Sequence, residues 1–190
     1  MSENRTREEW LLQLQSASRK QLKALFRGGT VPEVREFEGE FQGMVLDQGN
    51  WLANAAAAWC IHRRGRWLGK AFQPVSDEQG RGYNIFRTKD GIQRRLRMQF
   101  GVHDTDAGRR FTIEYGNDHT GIVGSICDEM KRIAPEVYLG LGTVVLGGRL
   151  FPWIYVRVMF AMIGPVQHCI PAAVQNDLVQ PMESFQRIAA

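Results

Sequence analysis

The side chains with chemical potential in this chain sit on segments of alternating polarity. From Ile92 to Phe100, the apolar Ile92, Leu96, Met98 and Phe100 alternate with Gln93, Arg95, Arg97 and Gln99, and Arg94 falls on the apolar face. A guanidinium among buried apolar groups is costly unless a carboxylate meets it. Arg94 therefore forks onto a ligand acid, pairs with a protein carboxylate, or reaches solvent at the strand end. The stretch Leu150 to Ile163 is apolar on both faces, with Phe151, Trp153, Tyr155, Arg157 and Met159 sharing one of them. Tyr155 and Arg157 are two residues apart and point the same way. Aromatic surface with few polar groups is the composition of a small-molecule pocket; core under a helix, or a homodimer contact, fits the same pattern. Phe111, Ile113 and Tyr115 share a face, which turns the Tyr115 hydroxyl inward, toward a ligand or a backbone partner. Lys70, beside Leu68 and Phe72, is either an inward ammonium or a solvated lysine. The expected ligand-binding set is Arg94, Arg157, Tyr155, Tyr115, Trp153 and Lys70.

Other chemistries find little support. His62, His103, His119 and His168 show no His-x-x-x-His spacing, and Cys60, Cys127 and Cys169 form no Cys-x-x-Cys pair. No metal, cofactor or catalytic residue is predicted. Asp104 and Asp106 share a loop with Gly108, where aspartate is common for turn reasons. Gly80-Arg81-Gly82 lacks the strand–loop–helix setting of a phosphate loop. Of the 24 basic residues, only Lys20, Lys23, Lys70, Lys89 and Lys131 are lysine. The clusters His62-Arg63-Arg64-Gly65-Arg66, Arg94-Arg95-Leu96-Arg97 and Arg109-Arg110 invite nucleic acid. Strict alternation, however, sends Arg95 and Arg97 to an outer strand face, and Glu36 to Glu40 dilute the field, so nucleic acid is disfavoured.

These side chains must be held by the elements around them. The 190 residues are 44% hydrophobic and 23% charged with a net charge of +4, which fits one domain and excludes collagen-like, disordered and disulfide-scaffold classes. MSENRTREEW has no apolar signal core, and the apolar run Val137 to Val166 is broken by Gly147-Gly148-Arg149, Pro152 and Arg157. A cytoplasmic protein with no membrane span is expected. Thr6 and Glu9 open an N-terminal helix within residues 1–30 that Gly28-Gly29 ends. Period-2 alternation then predicts a strand from Arg35 to Val45, with Phe37, Gly39, Phe41, Gly43 and Val45 on one face and a solvated acidic face opposite. The alanine-rich run after Asn50 predicts a second helix to Arg63. Seven further strands follow: Arg66–Gln73, Gly82–Thr88, Ile92–Val102, Arg109–Gly116, Val123–Arg132, Val137–Leu146 and Leu150–Ile163. The fifth of these seven is also compatible with a helical turn at Cys127 to Ile133. Short turns such as Lys89-Asp90-Gly91 and Gly147-Gly148 join the strands as hairpins. The fold class is mainly β: an eight-stranded antiparallel up-and-down barrel over residues 33–165, with a tail over 166–190. Eight strands close around room for one small ligand.

One strand, a helical insertion and a run of antiparallel strands resembles the calycin group, which contains lipocalins and intracellular fatty-acid-binding proteins. The helix between strands one and two resembles the latter, where it lids the barrel. Gly39-Glu40-Phe41 stands where lipocalins have Gly-x-Trp. Gly39-Glu40-Phe41-Gln42-Gly43 with Trp67-Leu68-Gly69 downstream is also loosely similar to an uncharacterised bacterial Gly-x-Trp-x-Gly family. Fatty-acid-binding proteins hold a carboxylate with Arg-x-Tyr on the last strand, and Tyr155-Val156-Arg157 presents that pair in reverse. The resemblance implies a small hydrophobic or amphipathic ligand such as a lipid, fatty acid or polyketide- or terpenoid-like molecule, with any acidic group on Arg94, Arg157 and Tyr155. A barrel isomerase or cyclase acting on a hydrophobic natural product, or a scaffold that binds through the first helix and the tail, are the alternatives.

Overall fold

The computed structural model describes residues 5–62, 65–106, 108–115, 125–146, 154–170 and 178–180. Eight strands close on themselves: β1 (Gly39–Val45), β2 (Arg66–Pro74), β3 (Gln79–Thr88), β4 (Gly91–Thr105), β5 (Gly108–Glu114), β6 (Ile126–Ala134), β7 (Val137–Leu146) and β8 (Ile154–Gln167). Each pairs antiparallel with its sequence neighbours, and β8 returns to β1 to complete the barrel. The expected up-and-down order is thus found, with β6 a strand throughout. The tail adds β9 (Leu178–Gln180), which pairs with Ile92 to Arg94 on the edge of β4 that β5 does not reach. Tail residues 171–177 and 181–190 lie outside the described residues, as does the Gly147-Gly148 turn.

The N-terminal helix is two helices rather than one, α1 (Arg7–Ser16) and α2 (Arg19–Gly28). The cause is local. Ser18 and Gln21 form a second capping box after the Thr6–Glu9 box, so the chain restarts a helix in mid-run. Both helices cover the outside of β7 and β8, where Leu14, Ala17 and Leu22 pack with Leu139, Met159, Ala161 and Ile163. This explains the two apolar faces of β8: Phe160 and Met162 face the interior and their neighbours face the helices.

The first strand starts later than alternation predicts. Val34–Glu36 is a single 3-10 turn, and Phe37 swings into the barrel with Phe41. Its ring lies 4.4 Å from Tyr138, 4.6 Å from Phe111 and 4.7 Å from Phe72, centroid to centroid. This aromatic cluster plugs the end of the barrel where β1 begins. At the other end, where β1 finishes, α3 (Trp51–His62) crosses to β2 as the expected helix between strands one and two.

Two bulges set which side chains enter the barrel. In β2 the register steps from Trp67↔Phe86 to Gly69↔Ile85, so Leu68 is the extra residue. Gly69 there has φ +152°, and a Cβ would overlap the Phe41 carbonyl oxygen. Gly69→Ala should therefore lower stability by about 2–3 kcal/mol. Gly28, with nothing within 4 Å of an added Cβ, is the matched control in urea unfolding and should be near neutral as alanine.

Candidate binding site

The second bulge changes the reading of the arginine-rich strand. The pairs Gly82↔Met98 and Asn84↔Arg95 enclose one residue of β3 but two of β4. Leu96 takes φ +58°, an uncommon conformation for a branched side chain. The extra residue reverses the inside–outside sense of everything before it. Ile92 packs with Tyr83, Ile85 and Ala71 outside the barrel, whereas Met98 and Phe100 belong to the interior. Arg94 accordingly faces outward, and Arg95 lies 5.1 Å over the interior Phe86 ring. Arg95, expected on the outer face, is corrected to the inner one.

Arg94 is fully buried on that outer side, where Glu40 meets it: Nε donates to Oε1 at 2.6 Å and Nη2 to Oε2 at 3.2 Å. Tyr83 donates to Glu40 Oε1 at 2.5 Å, the Gln167 amide donates to Oε2, and the Ile170 N–H donates to the Tyr83 hydroxyl at 3.0 Å. The acidic face of β1 is therefore not solvated at Glu40; residues 167–170 lie across it. Burial first, then the Glu40 charge, pushes the Tyr83 phenol far above its ordinary range.

Inside the barrel, above the aromatic plug, four polar side chains converge. Lys70 from β2 pairs with Asp128 from β6 at 3.0 Å, donates to Asn84 Oδ1 from β3 at 3.0 Å and contacts the hydroxyl of Tyr115, just past β5. Tyr115 donates to Asp128 Oδ2 at 3.2 Å. Asn84 also accepts from the Trp67 indole at 3.1 Å and donates at 3.2 Å to the carbonyl of the bulged Leu96. The ammonium is ringed by Tyr115, Phe160 and Trp67 at 5.0, 5.5 and 5.7 Å from the ring centroids. Lys70, Asn84, Tyr115 and Asp128 are each about 4–5% exposed. Gly142 opposite leaves the space, since a Cβ there would sit 2.8 Å from Asp128 Oδ1. Both bulges serve this cluster: Leu68 turns Lys70 inward beside Phe72, and Leu96 presents its carbonyl to Asn84.

Burial alone would depress the Lys70 pKa, but the attraction of Asp128 and the contact with Tyr115 outweigh it and hold the ammonium above its usual range. Burial, with Asp128 beside it, pushes the Tyr115 phenol up to about 12 from the ordinary 10.0. Below pH 10 the Tyr115 contribution to stability is complete. Above it the unfolded chain releases its phenol proton first, so stability should fall between about pH 10 and 12, by roughly 2–3 kcal/mol from this group. Tyr115→Phe should flatten that alkaline limb in thermal melts recorded across pH. Lys70, Tyr83, Tyr138 and the half-buried Cys127 and Cys169 thiols, all shifted upward, would carry the remainder.

Of the expected set, the structure brings Lys70 and Tyr115 together. Arg94 is held apart on the outer face. Arg157 is exposed, on the side of β8 that faces α1 and α2, and its carbonyl accepts from Arg19 at 3.1 Å. Tyr155 pairs with Val145 through the backbone; its side chain, and all of Trp153, lie outside the described residues. Asp128, Asn84 and Trp67 were missed as partners. Asp128 alternates with Ile126 and Met130, which is the signal of an inward carboxylate. Two clefts among the described residues, of about 550 Å³ beside α1 and α2 and about 150 Å³ beside Gln79, Gln99 and His103, lie away from the cluster.

Together the closed sheet and this interior define an eight-stranded antiparallel barrel with a buried polar centre. No family profile matches the chain, and no curated protein matches it. A crystal structure of a protein from Thermomonospora curvata is similar in fold, with a TM-score of 0.57 at 14% identity over 83% of this chain and 95% of that one. At that identity the likeness speaks for the barrel alone. No helix among the described residues is long and apolar enough to cross a membrane.

Proposed function

We propose that the barrel is a calycin-like container for one small, largely apolar organic molecule, bound between the Lys70 cluster and α3. The observation that carries this reading is the cluster itself. An ionic centre inside an aromatic core seldom adds stability over apolar residues of the same volume, because desolvation offsets the attraction. Its retention is accounted for by a ligand with a polar end. Lys70, Tyr115 and Asn84 supply polar groups that could exchange one of their internal hydrogen bonds for one to a ligand, while Trp67, Phe86 and Phe160 offer apolar wall, the mixture that fixes orientation in a ligand pocket. Asp128 already balances Lys70, so the polar end that suits this floor is an uncharged carbonyl or hydroxyl.

Native mass spectrometry of the protein purified from its own host should show a retained small molecule. Tyr115→Phe should weaken its rebinding about tenfold, the loss of one buried hydrogen bond. A protein that carries nothing, and binds no apolar fluorophore saturably, would rule the container out.

A further inference from the structure

We propose that the interior site selects an apolar alcohol, whose O–H donates to Asp128 Oδ1 in the gap over Gly142. The inference rests on the container reading and narrows the polar end of the ligand to a hydroxyl. It follows from where the hydrogen bonds of the cluster go. Lys70 Nζ faces Asn84 Oδ1, the Tyr115 hydroxyl and Asp128 Oδ2, one group for each of its three N–H bonds. The Asn84 amide donates to the Leu96 carbonyl and to Tyr115, and Tyr115 donates to Asp128 Oδ2. Every donor of the cluster is thus used. The acceptors are not: both contacts of the Asp128 carboxylate fall on Oδ2, and Oδ1 accepts from none of the described residues. Asp128 is buried, and a buried ionised oxygen is costly to leave without a donor.

Glycine leaves room beside that oxygen. Asp128 and Gly142 face each other across β6 and β7. A Cβ on Gly142 would lie 2.8 Å from Oδ1, and the next residue it would meet is Val158, whose carbonyl oxygen is 3.6 Å away. On the α3 side the next pair on this face, Ile126 and Val144, is half-buried and offers apolar surface to the rest of the molecule. Chemistry then chooses the polar end. A ketone, an ether or a carboxylate would set a lone pair against the carboxylate oxygen. An ammonium would donate, but it adds a second cation to a charge that Lys70 already balances. An uncharged O–H donates without that cost, and a hydrogen bond to an ionised acceptor is among the stronger ones.

The test displaces N-phenyl-1-naphthylamine from the full chain with probes built on one decyl chain: 1-decanol, decyl methyl ether, decanal and decanoate. Decanol should displace the fluorophore at a concentration at least about tenfold lower than the others, the difference expected for one hydrogen bond to a buried charge. This comparison needs no variant to fold. Gly142→Ala fills the gap without removing a charge and should bring decanol to the level of the ether. Lys70→Met/Asp128→Leu removes the acceptor itself and should do the same. Equal displacement by all the probes, tightest binding of decanoate, or a decanol preference kept in either folded variant would overturn the hydroxyl anchor and leave the container in place. No saturable binding of the fluorophore would overturn both.

Discussion

Glu40→Gln should cost the fold roughly 3–5 kcal/mol, the loss expected when a buried ion pair is broken by removing one partner. Arg94 and Glu40 are both fully buried, and the carboxylate accepts from Arg94, Tyr83 and Gln167 at once. Glutamine keeps the shape and some hydrogen bonds but removes the carboxylate charge that the guanidinium faces. The effect should extend to the tail. Glu40 accepts from the Gln167 side chain and Tyr83 accepts from the Ile170 backbone, so two of the contacts that tie residues 167–170 to the barrel weaken when this cluster is broken. Urea unfolding should show the lowered midpoint, and limited proteolysis should cut the tail faster than in the unmodified protein. Arg94→Lys should also be destabilising, since an ammonium cannot reproduce the two-point fork. Glu40→Leu/Arg94→Met should recover much of the loss. If instead Glu40→Gln melts with the unmodified protein, the cluster does not hold the tail.

The barrel was legible because hairpin order is written locally. Asp90-Gly91, Asp104 to Gly108 and Ala134 to Glu136 are turns by chemistry, and period-2 alternation between them fixes strand and partner together. The lid position was legible for the same reason, since Asn50 caps an alanine run between two alternating segments. Faces were harder. Alternation gives a correct sense only while register is unbroken, and one extra residue at Leu96 exchanges Arg94 with Arg95. Leucine carries no mark of a left-handed backbone, so nothing in the local sequence announces that bulge. The Leu68–Gly69 bulge did have a glycine, which was also compatible with an ordinary curved strand. Lys70 and Tyr115 were identifiable one at a time from their neighbours, yet their union with Asp128 needs three strands closed around a common axis. Sequence spacing of 45 and 58 residues holds no record of that closure.

Breaking the interior cluster from one side and then from both should separate structure from function. Lys70→Met leaves Asp128 buried without its cation and should cost about 3–5 kcal/mol. Asp128→Leu strands the ammonium among Trp67, Tyr115 and Phe160 and should cost a similar amount. Lys70→Met/Asp128→Leu removes both charges, while Asn84 can still accept from Trp67 and bond the Tyr115 hydroxyl. The double variant should therefore lie within about 1–2 kcal/mol of the unmodified protein, which is a coupling of several kcal/mol in a double-mutant cycle. Additive losses would mean that the pair does not act as a unit. A recovered fold then permits the decisive comparison, because binding can be measured without an unfolding artefact. If the ion pair exists to receive a ligand, the stable double variant should lose its retained molecule or bind it at least about tenfold more weakly. If it binds as tightly as before, the polar centre is a feature of the core and the ligand lies elsewhere.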